Sequence, residues 1–78
     1  MYQLNILVLK EVNMTYKEVI KLIENDGWYL DRQKGSHMQY KHPVKKGLVT
    51  IAHHGLTQKV APKMLNSILI QAQIEIKR

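Results

Sequence analysis

The spacing of apolar residues changes period along the chain, and each change marks a new element. From Tyr16 to Glu24 the period is helical: Tyr16, Val19, Ile20, Leu22 and Ile23 share one face, while Lys17, Lys21 and Glu24 face water. Thr15-Tyr16-Lys17-Glu18 is a capping box, and Gly27 suits a left-handed stop after Asp26, so a first helix is expected over about residues 16–25. From Trp28 to Lys34 the period is two, with Trp28, Leu30 and Arg32 in one phase and Tyr29, Asp31 and Gln33 in the other. Gly35 permits a tight turn. Ser36 to His42 then alternates again, Met38 and Tyr40 against His37, Gln39 and Lys41. Pro43 to Gly47 reads as a hairpin loop and Leu48 to His53 as a third strand, with Val49 and Ile51 on its apolar face. After a connection from Gly55 to Ala61, Pro62 fits the first helical position. Leu65, Ile68, Leu69 and Ala72 keep the helical spacing, so a second helix is expected over about 62–73, with Lys77 and Arg78 beyond its end.

The order is helix, three strands, helix. Short turns make the sheet an antiparallel meander, and each helix has one apolar stripe. The expected fold is therefore α+β, α-β-β-β-α, with both helices on the one apolar face of a three-stranded sheet. The other face is left open and should carry His37, Gln39 and Lys41. Residues 1–13 stand outside this domain, which we take as 14–78. Tyr2, Leu4 and Ile6 alternate with polar residues, so a short added strand and a loosely ordered extension are both open readings.

Charge sharpens the picture. The net charge is +6, and from Arg32 to Lys63 no Asp or Glu occurs among Arg32, Lys34, Lys41, Lys45, Lys46, Lys59 and Lys63. All four histidines, His37, His42, His53 and His54, fall in the same stretch. Such a field attracts phosphate, and imidazole moves protons near neutral pH, so a nucleic-acid backbone ranks ahead of an acidic protein as the ligand. There is no cysteine, which removes disulfides and Cys-based zinc sites and fits a reducing compartment. No segment reaches the roughly 20 apolar residues of a membrane span. The N-terminus carries no cationic start before its apolar run, so the expected location is the cytoplasm.

His37 is the candidate for chemistry. Its phase puts it opposite Met38 and Tyr40, away from the core, with Gly35 removing bulk beside it and Ser36 able to hydrogen-bond a phosphate oxygen. RNA can be cut without a metal if the 2′-hydroxyl attacks the adjacent phosphorus. One imidazole can act as base or acid, contributing roughly 10²–10⁴-fold. Lys34 and Lys41 would stabilise the developing charge. By spacing alone an exposed strand histidine is more often a plain surface residue. Arg32, Lys34, Gly35, Ser36, Gln39, Lys41, Lys45 and Lys46 are the candidate RNA contacts, the last two at the hairpin tip. His42, before Pro43, reads as a turn residue. His53 and His54 are adjacent and so point to opposite faces, one able to touch RNA and the other to cap the core edge. No zinc site or other cofactor is expected, and Trp28 and Tyr40 read as core.

Taken together, Gly27-Trp28, Arg32-Gln33-Lys34-Gly35-Ser36-His37, Tyr40-Lys41-His42-Pro43 and Val49-Thr50-Ile51-Ala52-His53-His54 resemble the HicA mRNA-interferase toxin family (YcfA-like) over roughly residues 15–73. The resemblance implies a double-stranded-RNA-binding-like fold and a ribosome-independent endoribonuclease of a type II toxin–antitoxin system. It also implies mRNA as substrate and a HicB-type antitoxin that masks the active site. The family's catalytic histidine falls on His37 and its glycine on Gly35. Ala52 stands where the family commonly has proline, and the first thirteen residues have no counterpart. Two other readings stay open: a non-catalytic RNA-binding module of the same fold, and a protein-interaction domain with a basic face. The free chain is expected to be a monomer.

Overall fold

The computed structural model describes residues 13–75. The strand considered for residues 1–13 lies, apart from Asn13, outside that range, as do Lys77 and Arg78. Five elements follow in the expected order: α1 (Tyr16–Asn25), β1 (Tyr29–Lys34), β2 (His37–Lys41), β3 (Val49–Ala52) and α2 (Pro62–Ala72). The strands form one antiparallel sheet in the order β1-β2-β3.

Helix α1 starts where its capping box says it should. The Thr15 hydroxyl accepts from the Glu18 amide at 3.2 Å, and the Thr15 amide donates to Glu18 Oε1 at 2.9 Å. Those bonds, the backbone one first and then the hydroxyl, hold the Glu18 carboxyl below its ordinary value of 4.5. The helix stops in a Schellman arrangement. The Gly27 amide donates to the Glu24 carbonyl and the Trp28 amide to the Ile23 carbonyl, with Gly27 at φ +109°. This is why β1 begins at Tyr29 and not at the expected Trp28: the Trp28 amide closes the helix, and its indole turns into the core beside Ile23.

That core is a single cluster. Tyr16, Val19 and Ile23 come from α1, Tyr40 from β2, Val49 and Ile51 from β3, and Leu65, Ile68, Leu69 and Ala72 from α2, with Trp28 and Val60 completing it. Trp28 is 2% exposed and donates through Nε1 to the Ala72 carbonyl at 3.2 Å, joining the two helix ends. Burial pushes the Tyr40 phenol up to about 12. Both helices thus share one face of the sheet, as the apolar stripes require. No polar or charged side chain is buried with them among the described residues.

The junction between β2 and β3 is held by one imidazole. His42 Nδ1 accepts the amide hydrogens of Val44 and Lys45, each at 2.9 Å, so that nitrogen carries a lone pair. Nε2 therefore bears the hydrogen and donates to the Asp26 carbonyl at 2.7 Å, while the ring meets the Trp28 indole edge-on. A Cβ on Gly27 would lie 2.7 Å from His42 Nε2. Replacing Gly27 with Ala therefore both strains the backbone and displaces this histidine. Urea denaturation should show a loss of about 1–3 kcal/mol. An unchanged midpoint would contradict the role given to the Gly27–His42 contact.

Candidate functional site

Strand pairing decides which side chains share the open face. In β2 and β3, Tyr40 opposes Val49 and Met38 opposes Ile51 on the core side. His37 opposes Ala52 and Gln39 opposes Thr50 on the other. Strand β1 enters with Tyr29 opposite Lys41 and Leu30 opposite Tyr40, then shifts register by one residue: Arg32 opposes Gln39, Gln33 opposes Met38 and Lys34 opposes His37. Asp31 is the extra residue of a β-bulge. The simple alternation places Arg32 with Trp28 and Leu30, towards the core. The bulge reverses the phase, so Arg32 and Lys34 stand on the open face beside His37 and Gln39. These four side chains line one concavity of about 270 Å³.

The turn before His37 is set by Gly35. Lys34 and His37 are the last paired residues, so Gly35-Ser36 is a two-residue hairpin loop. Gly35 has φ +60° and Ser36 does not have a positive φ, the pattern of a type II′ turn. A Cβ at Gly35 would touch nothing within 4 Å, so its backbone angle, and not crowding, calls for glycine. The turn is fastened by Gln33 Nε2, which donates to the Gly35 carbonyl, and by the His53 amide, which donates to the Ser36 carbonyl. His37 is exposed at the exit of a short, tied turn.

The other candidates are distributed less evenly. Ser36 is half-buried in the turn. Lys41 is on the open face, but its ammonium lies 3.5 Å from the Asp31 carboxylate, which offsets its charge. Among the described residues, neither Arg32 nor Lys34 takes part in such an ion pair. Lys45 is not on this face. Its ammonium donates to Asp26 Oδ2 at 2.6 Å and to the carbonyls of Ala72 and Gln73 at 3.3 and 2.9 Å, so it caps the C-terminal end of α2. Lys46 is exposed, and its carbonyl accepts from Gln73 Nε2. That bond helps hold Gln73 in the left-handed conformation that ends α2 one residue earlier than the spacing predicts.

The remaining histidines separate. His42 is the half-buried turn residue described above. His53 packs its ring against Tyr16, with Nδ1 buried and unpartnered, and His54 is exposed. Among the described residues no three His, Cys, Asp or Glu side chains group closely enough to hold a metal ion. Tyr29 and Thr50, for which the sequence suggests no role, also stand on the open face, opposite Lys41 and Gln39. Tyr29 was already in the right phase, opposite Trp28, and its aromatic ring was the signal.

The structure defines a small α+β domain of order α-β-β-β-α whose second sheet face, uncovered among the described residues, gathers a histidine, an arginine and a lysine. A family model described as HicA toxin of bacterial toxin–antitoxin matches residues 16–74, and the chain belongs to that family. Membership makes it the toxin side of a toxin–antitoxin system, with an antitoxin as partner. No curated protein matches the chain in sequence. No helix among the described residues is long and apolar enough to cross a membrane.

The two loop lysines separate capping from surface charge. Lys45→Met should lower the unfolding free energy by about 1–3 kcal/mol, since it strips a charged donor from Asp26 and two helix-end carbonyls. Lys46→Met should leave it unchanged within about 0.5 kcal/mol. Equal effects in parallel urea titrations would contradict the capping role of Lys45.

Proposed function

We propose that the chain is a metal-independent endoribonuclease that cleaves mRNA without the ribosome, with His37 as its catalytic group, and that a HicB-type antitoxin neutralises it. The observation that carries this reading is the convergence of His37, Arg32, Lys34 and Gln39 around one open concavity. Cations and an amide there suit a phosphodiester, and an exposed imidazole beside them can reach a proton on it.

The step that fits is an internal transfer. The 2′-oxygen bonds to the adjacent phosphorus as its proton leaves, and the bond from phosphorus to the 5′-oxygen breaks as that oxygen gains a proton. The products are a 2′,3′-cyclic phosphate and a 5′-hydroxyl. His37 supplies one of the two proton transfers, as base or acid, and water handles the other. Arg32 and Lys34 offset the charge that builds on the phosphorane oxygens, the guanidinium able to bridge two of them. Gln39 can donate an amide hydrogen to the same group, and Ser36 a hydroxyl. Lys41, paired with Asp31, contributes less, and Lys45 stays in its structural role. An antitoxin that covers this face would shut off the RNA path and the histidine together.

The test is a long mRNA incubated with the protein in EDTA, beside His37→Ala. Cleavage should persist in EDTA and fall by at least about 100-fold in the variant, with RNA affinity largely kept. RNA binding without cleavage by either protein would contradict the nuclease and favour a non-catalytic RNA-binding module.

A further inference from the structure

Tyr29 is the one phenol ring on the open face of the sheet among the described residues. It opposes Lys41, the residue four positions along β2 from His37, a separation of about 14 Å at roughly 3.4 Å per residue. The ring is 49% exposed, and among the described residues no contact with another aromatic ring holds it. The tyrosines at positions 16 and 40 lie in the core. Strand propensity alone would account for a tyrosine here, but not for its company. It shares a face with Arg32, Lys34 and His37 and lies at the end where charge is weakest, because Asp31 pairs with Lys41.

A ring in that position answers a need of the chemistry. Internal attack by a 2′-hydroxyl requires a nucleotide whose backbone can leave helical geometry, so the strand must be held unstacked near the scissile step. Bases freed from their neighbours stack on exposed aromatic side chains of sheet surfaces, whatever their identity. We propose that Tyr29 is a stacking platform for a base of single-stranded RNA, displaced along the strand from the phosphate held at His37. This deepens the nuclease reading and rests on it for the direction of the RNA path. The subsite takes any base, and it favours single strands over duplexes, whose bases are not available to it.

The experiment uses labelled single-stranded oligoribonucleotides of mixed sequence and the full chain carrying His37→Ala, so that the RNA stays intact. Adding Tyr29→Ala should weaken binding about tenfold, the scale of one lost stack, while leaving the dependence of affinity on salt unchanged. Tyr29→Phe should restore binding. Scanning a single abasic site along the RNA should find one position where the base matters with Tyr29 present and not with Ala. In the parent background, Tyr29→Ala should raise KM with little change in kcat. Unaltered affinity in Tyr29→Ala, failure of Phe to restore it, or a reduced salt slope like that of a lost cation would each overturn the proposal. Loss of antitoxin binding with RNA binding intact would also overturn it. If the parent binds RNA but never cleaves it, the nuclease reading falls while the binding measurements still decide the role of Tyr29.

Discussion

One extra residue in β1 organises the open face. Between Leu30 and Arg32 the pairing with β2 slips by a single position, with Asp31 unopposed. In a strand such a slip turns every later side chain over, because successive residues alternate between faces. Upstream of the bulge Leu30 keeps the core side, opposite Tyr40, and Tyr29 the open side. Downstream, Arg32 and Lys34 are carried across to join His37 and Gln39. Without it, the cations nearest the histidine would point at the apolar layer. The bulge also suits an edge, which β1 is among the described residues: it is exposed along its length, and a kinked, charged edge resists pairing with another chain.

The face stays in place because the far side of the domain is tied at one corner. Asp26, Gly27, His42, Lys45, Ala72 and Gln73 meet there, linking the ends of both helices to the loop between β2 and β3. Apart from the Lys45–Asp26 ion pair, each contact satisfies a backbone group that a helix end or a turn leaves open, so the corner is held by polar bonds where the core cannot reach. Trp28 connects it to the core through its own bond to Ala72. His42, which reads as a turn residue in the sequence, and Lys45, which reads there as an RNA contact, are both used in this way. The sheet face itself is freed of such duties. Arg32, Lys34 and His37 remain exposed and take part in no ion pair among the described residues.

Much of this was legible in the sequence. The capping box, the Gly27 stop, Pro62 and the two apolar stripes fix both helices within a residue, because each depends on local chemistry. The meander follows from short Gly- and Pro-containing turns, and the face of His37 follows from the period of two in β2. What could not be read is non-local. A bulge leaves no mark in YLDRQK, since whether Asp31 is opposed depends on the partner strand. The partners of Lys45 lie 19 to 28 positions away in sequence, so its capping role is invisible beside Lys46. Gly35, by contrast, is legible as the residue of a tight turn, and its positive φ in the hairpin bears that out.

The central claim is that the bulge places Arg32 and Lys34 on the face of His37. Interstrand nuclear Overhauser contacts in isotopically labelled protein test it directly. The account predicts backbone contacts between Arg32 and Gln39 and between Lys34 and His37, together with Leu30 and Tyr40. Contacts between Asp31 and Gln39 and between Arg32 and Met38, the unbroken register, would contradict it and return Arg32 to the core side of the sheet.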